Sequence, residues 1–182
     1  MYKKALDIRE KVLGKEHLDT AISYNNVAAA IDARGKHIQA MELYQRVLTI
    51  RKKLLGEEHP ETAAVYNNIA AVYGELGESD NALDNYQKAL GIYKKVFGEE
   101  HPDIATVYNN IGTIFDSRRD YLTAIKWMQI GLGIREKLLG SHHLDTADSY
   151  INVAAVLESL RQLPEALTFY KKAFPVFKTE LG

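Results

Sequence analysis

The sequence predicts an all-α protein, a solenoid of antiparallel helix pairs rather than a domain around one central core. Three observations carry this. The phrase Tyr66-Asn67-Asn68-Ile69-Ala70-Ala71-Val72-Tyr73 recurs, in related form, from Tyr24, Tyr108 and Tyr150, at a constant step of 42 residues. A fixed step of roughly 20–50 residues is the signature of a repeat array. Apolar residues inside each unit return at helical spacing, and glycine and proline punctuate the chain at the same step.

Residues 1–14 read as the second helix of an incomplete repeat. Tyr2, Ala5, Leu6, Ile8 and Val12 precede Gly14, as Tyr44, Val47, Leu48, Ile50 and Leu54 precede Gly56. A linker follows, Leu55-Gly56-Glu57-Glu58-His59-Pro60-Glu61 in its second occurrence. Glycine just past a helix end can take the left-handed conformation that closes the last turn. Proline fits the first turn of the next helix, where its missing N–H costs nothing. Asp19, Glu61, Asp103 and Asp145 fall in that first turn and suit the helix dipole. The first helix of each unit is expected over about Asp19–Arg34 and its equivalents, the second over about Ile38–Leu54. Gly35 and Gly77 mark the turn between them, and Arg119 and Arg161 take that place in the later units. Ala40, Ala82, Ala124 and Ala166 give each second helix a small residue where two helices approach. Pro175, inside the last helix, predicts a kink or early end there, since proline removes a backbone bond and clashes with the preceding turn. The domain organisation is thus one solenoid over residues 1–182, with four helix pairs at 18–56, 60–98, 102–140 and 144–182. A chain that opens in mid-repeat is expected to be a fragment of a longer protein.

Composition narrows the function classes. A formal net charge of −1 over 182 residues gives no electrostatic footprint for nucleic acid or an anionic membrane. No apolar run approaches the roughly 20 residues that span a bilayer, and the start lacks a signal peptide's apolar core. Without cysteine there is no disulfide framework and no thiolate metal site. A cytoplasmic location is expected. No cofactor is implied, and no nucleophile–base–acid constellation or phosphate loop is readable, so an enzyme is not expected. His17, His59, His101 and His143 are periodic but lie a repeat apart, too far to share a metal whose ligands sit within roughly 2–2.2 Å of it. They are expected to cap or pack the linkers.

These features resemble the tetratricopeptide repeat. The matching residues are the tyrosines at 24, 66, 108 and 150, the pairs Val27-Ala28, Ile69-Ala70, Ile111-Gly112 and Val153-Ala154, the alanines at 40, 82, 124 and 166, and Tyr44, Tyr86 and Tyr170, with Met128 the exception. The 42-residue period, the Leu-Gly-x-x-His-Pro link and the Asn-Asn-Ile-Ala phrase are similar to the kinesin-light-chain-like variant. The resemblance implies a right-handed superhelix, first helices lining its concave face, and a non-catalytic adaptor or scaffold that binds a protein or peptide partner. Adjacent helix axes ~8–10 Å apart would set equivalent points of successive repeats roughly 16–20 Å apart, five or six residues of extended peptide.

Family members that hold extended peptides use an asparagine at the place of Asn26, Asn68, Asn110 and Asn152. An amide donates and accepts, so it can pair with a peptide backbone without reading its side chains. These four are expected to face the groove, with Asn25, Asn67 and Asn109 as secondary candidates. The alternative is that the asparagines brace neighbouring helices. Asp32, Glu75, Asp116 and Asp148 would add negative charge. Between Leu18 and Ala33, and in the three equivalent windows, there is no lysine or arginine. The acidic peptides and terminal carboxylates bound by some relatives are therefore not expected here, and a neutral to basic extended peptide is. The second expectation is a structural array that acts by self-association through its terminal helices, around Leu6, Ile8, Leu167 and Phe174, or as a spacer or sensor arm in a signalling protein.

Overall fold

The computed structural model describes residues 2–181. Among them are nine helices and no strand: α1 Tyr2–Leu13, α2 Leu18–Asp32, α3 His37–Leu55, α4 Pro60–Glu75, α5 Ser79–Phe97, α6 Pro102–Ser117, α7 Tyr121–Leu139, α8 Leu144–Ser159 and α9 Leu163–Leu181. The chain forms two compact units, Met1–Ile92 and Tyr93–Gly182, built on one plan. In the first, α2 packs on α1 and α3, and α3 on α4; in the second, α6 packs on α7, and α8 on α7 and α9.

The linkers work through the residues that mark them. His59 is the N-cap of α4, and its Nδ1 accepts the Glu61 N–H at 3.1 Å. Pro60 has no N–H to satisfy, so Glu61 carries the first orphan donor of the helix. His17, His101 and His143 accept from Asp19, Asp103 and Asp145 in the same way, at 3.1, 3.2 and 3.1 Å. The expected capping role is therefore observed. The Thr62 hydroxyl donates to the Gly56 carbonyl at 2.9 Å and ties the helix start to the preceding helix end.

The turn inside each pair keeps one geometry whatever residue occupies it. Gly77 has φ +77°, and Arg119 and Arg161 adopt φ +62° and +59°. A side chain in the left-handed region costs about 1–2 kcal/mol. Arg119→Gly and Arg161→Gly are each expected to raise stability by about 0.5–1 kcal/mol, after allowing for the extra chain entropy of glycine. Thermal denaturation of the single and double variants checks this; unchanged or lowered midpoints would show that the turn carries no strain.

Each core follows the helical period. In the first unit Ala21, Tyr24 and Ala28 of α2 meet Ala40, Tyr44 and Val47 of α3 and Val65, Ile69 and Val72 of α4. In the second, Tyr150, Val153 and Leu157 of α8 lie between Met128 and Leu132 of α7 and Ala166, Ala173 and Val176 of α9. The alanines at 40, 82, 124 and 166 are all buried, as close helix approach requires.

The early end expected at Pro175 does not occur. α9 continues through it to Leu181. Ala173, Val176 and Phe177, on both sides of the proline, pack into the α7–α8 core. That burial outweighs one lost backbone bond.

Candidate peptide-binding face

The first helices are apolar toward their neighbours and polar or small toward solvent. On α2, Thr20, Ala21, Tyr24, Val27 and Ala28 are buried, while Ile22, Asn26 and Ala29 are exposed. On α4 the same places hold the half-buried Ala64, Asn68 and Ala71. On α6 they hold Thr106, Asn110 and Thr113, and on α8 Asp148, Asn152 and Ala155, all half-buried or exposed. Asn26, Asn68, Asn110 and Asn152 thus lie at the solvent edge, with Ala29, Ala71, Thr113 and Ala155 one turn on and Ile22, Ala64, Thr106 and Asp148 one turn back.

The first asparagines take a role that sequence reading treated only as an alternative. Asn68 Nδ2 donates to Asn25 Oδ1 at 3.1 Å, and Asn152 Nδ2 to Asn109 Oδ1 at 3.0 Å. Each rung joins the first helix of one pair to that of the next. It uses one of the two amide hydrogens of the donor and leaves its carbonyl oxygen for another partner. Asn67 and Asn110 are also engaged in interactions. Bracing and solvent access therefore coexist on one side chain.

The acidic residues are not equivalent. Asp32 lies 2.8 Å from His37 Nδ1 across the helix-pair turn. Asp148 stands on the exposed face and acts electrostatically on Arg135. Glu75 is exposed, and its charge adds to the burial that holds the Tyr86 phenol up. Burial raises the Asp116 carboxyl above the usual range. No lysine or arginine of these helices answers them.

Two sets of residues that hold the site in place went unread in the sequence. Arg9, Arg51 and Arg135 lie about one turn before the ends of α1, α3 and α7 and donate to the next first helix, at the carbonyls of Asp19 (3.1 Å), Glu61 (2.7 Å) and Asp145 (2.8 Å). Arg9 and Arg135 also reach Ser23 and Ser149, both at 2.7 Å. Their recurrence at the repeat step, broken by Tyr93, with serine present beside Arg9 and Arg135 and valine beside Arg51, is the signal that could have found them. The second set surrounds the buried tyrosines. Tyr24, Tyr66 and Tyr150 donate to Glu10, Glu57 and Glu136. Arg46, Lys52, Lys94 and Lys172 lie over the rings of Tyr24, Tyr66, Tyr108 and Tyr150 at 4.3–5.7 Å. Where the repeat carries Lys52 or Lys94, the acid comes from the linker as Glu57 or Glu99; where it carries Glu10 or Glu136, the linker has Lys15 or Ser141. The carboxylate is kept and its source exchanged.

Burial, with help from the nearby acids Glu10, Asp32 and Glu136, pushes the phenols of Tyr24, Tyr44 and Tyr150 up to about 12. In the unfolded chain they titrate near 10. The neutral phenols therefore contribute stability that is whole below about pH 10 and lost as pH rises toward 12. The melting temperature is expected to hold to about pH 9.5 and then fall steeply, with phenolate absorbance rising alongside unfolding. A melting temperature level to pH 12 would show that these phenols are not held neutral by the fold.

Among the described residues, no group of three or more histidine or acidic side chains could hold a metal ion, and no helix is long and apolar enough to cross a membrane. The class this geometry defines is an all-α array of helix pairs, with amides on the solvent side of its first helices and ordered caps between pairs. The chain belongs to the tetratricopeptide repeat family, which matches at residues 1–53, 24–95, 61–129 and 103–179. No curated protein matches it. Among solved structures it is similar to BtubC (BKLC) from P. vanneervenii, at 27% identity and a TM-score of 0.79, over 100% of this chain and 72% of that one. Two crystal structures of kinesin-light-chain-like, nearly identical TPR-like repeats from Podosopora anserina share the fold. One has 24% identity and a TM-score of 0.73 over 100% of this chain and 86% of its own. The other has 23% and 0.70 over 98% and 85%.

Proposed function

We propose that this chain is a non-catalytic interaction module that holds an extended, neutral to basic peptide segment of a partner against the solvent side of its first helices. Members of the family are generally protein-interaction modules. The observation that carries the reading is the second asparagine of each phrase. Asn68 and Asn152 spend one amide hydrogen on the rung to the preceding first helix and stay at the solvent edge, Asn68 between Ala64 and Ala71 and Asn152 between Asp148 and Ala155. The remaining amide hydrogen and the carbonyl oxygen can pair with a peptide's C=O and N–H. The absence of cations and the presence of Glu75, Asp116 and Asp148 on these helices favour a peptide without acidic side chains.

The test is a panel of fluorescent acidic, neutral and basic peptides at two salt concentrations, read by anisotropy. Basic or neutral peptides should bind, the basic ones more weakly at high salt. Each amide contact contributes about 0.5–1.5 kcal/mol net, so Asn68→Ala with Asn110→Ala should weaken binding roughly 5- to 150-fold. Asn25→Ala removes the rung from Asn68 and serves as the bracing control. If it weakens binding as much as the double variant, the asparagines only brace. If acidic peptides bind best, the charge argument fails.

A further inference from the structure

The amide row cannot tell one peptide from another. Asn26, Asn68, Asn110 and Asn152 are the same in every repeat, and the row one turn on, Ala29, Ala71, Thr113 and Ala155, is small throughout. Equal amides also fix no register, because a peptide displaced from one to another meets the same groups. The row one turn back differs at every step: Ile22, Ala64, Thr106 and Asp148 are aliphatic, small, hydroxylic and acidic in turn. Side chains of a bound peptide are therefore told apart on this row.

In the second unit Asp148 is the open group of the row. The Thr106 hydroxyl donates to the Pro102 carbonyl at 3.1 Å and accepts from Arg135 at 3.0 Å. The other acids of α6 and α8 are engaged or withdrawn. Asp103 and Asp145 stand in the first turns beside the capping His101 and His143. Asp116 is half-buried, and Glu158 accepts from Tyr170 at 2.6 Å. Asp148 is exposed and, among the described residues, has no hydrogen bond or close ion pair of its own. Arg135 acts on it at longer range, with its guanidinium tied to the Asp145 carbonyl, Ser149 and Thr106. The row stays accessible where a further repeat follows: Ile22, with α4 after it, is 39% exposed, and Thr106, with α8 after it, is half-buried.

We propose that Asp148 is the specificity-determining residue of the peptide face: it pairs with a lysine or arginine side chain next to the peptide unit that Asn152 holds, and so sets the peptide's register. Residues one helical turn apart have Cβ atoms about 5–6 Å from each other, within the span of either basic side chain. This inference rests on the peptide reading above and names the residue the peptide must carry.

The test is anisotropy on the full chain with labelled neutral peptides that carry one lysine, one glutamate or neither. The lysine peptide should bind about threefold more tightly than the neutral one at low salt, and the advantage should vanish at high salt. Asp148→Asn should erase the advantage and leave the neutral peptide's affinity unchanged. Asp148→Lys should pass it to the glutamate peptide. Asp145→Asn removes another acid that acts on Arg135, off this row, and should change nothing. A benzophenone beside the lysine should cross-link to α8 in the native chain and to α2 after the exchange Ile22→Asp with Asp148→Ile. A lysine advantage that survives Asp148→Asn overturns the inference, as does an equal loss in Asp145→Asn or a cross-link that stays on α8 after the exchange. In each of these cases a loss of binding in Asn68→Ala with Asn110→Ala keeps the peptide reading standing without it. If none of the peptides binds, both readings fall.

Discussion

Tyr150→Ala is expected to cost about 3–5 kcal/mol, as removal of a fully enclosed aromatic ring does. The ring is 1% exposed. It sits in the core shared by α7, α8 and α9, 6.0 Å from the Phe169 ring and 5.1 Å from Lys172 Nζ. The surrounding core draws on three helices, with Met128 and Leu132 of α7 and Ala166, Ala173 and Val176 of α9 against α8, so it cannot close over the gap by moving one side chain. A chain of this size loses roughly 2–4 °C of melting temperature per kcal/mol, so a fall of roughly 10 °C is expected. Stability in a repeat array is largely a sum of local terms. Hydrogen exchange should therefore rise most in α7–α9 and much less in α2–α4. Tyr150→Phe keeps the ring and removes only the bond to Glu136, and should cost about 1 kcal/mol. Equal losses for the two variants would mean that the phenol, and not ring burial, holds these helices together.

Gly131→Val is expected to destabilise by about 2–3 kcal/mol, while Gly133→Ala, two residues along α7, stabilises by about 0.5–1 kcal/mol. A Cβ at Gly131 would stand 2.7 Å from the Ala105 carbonyl oxygen of α6 and 3.4 Å from Tyr108 Cβ. The first of these is backbone and cannot swing aside, so α6 and α7 must separate, with the strain of an overpacked core. At Gly133 nothing lies within 4 Å of the added Cβ. There the substitution only removes the entropic cost of glycine within a helix. Val47 and Ala89 occupy the place of Gly131 in other repeats, so the close approach belongs to this pair. Denaturant midpoints of the two variants decide the matter. A neutral Gly131→Val would show that the α6–α7 contact yields easily.

The face that carries the candidate site was legible because it follows from one periodicity. Once Tyr24, Val27 and Ala28 point inward, Asn26 must point outward, and the structure places it there. The acids were less legible. Asp32 engages His37, five residues on and across a turn whose exact path periodicity does not give. Asp116 lies half-buried, so its charge cannot be counted as that of an exposed carboxylate. The amide rungs were open in sequence for a similar reason. Whether Asn68 faces solvent or Asn25 depends on how far one first helix slides along the next, and the answer is that it does both.

By itself, the sequence determined the repeat step, the helix boundaries, the capping histidines and the inward residues, and with them the family. Each is a local property: glycine and proline end helices through their own backbone geometry, and burial follows a 3.6-residue period wherever a neighbour is present. The tertiary structure decided the rest. It chose Asn25 for Asn68 and Ser149 for Arg135, carried α9 through Pro175, and drew α6 onto α7 at Gly131. These outcomes depend on contacts between residues on different helices. Such contacts are fixed by the packing of whole helix faces, and no single residue type announces them.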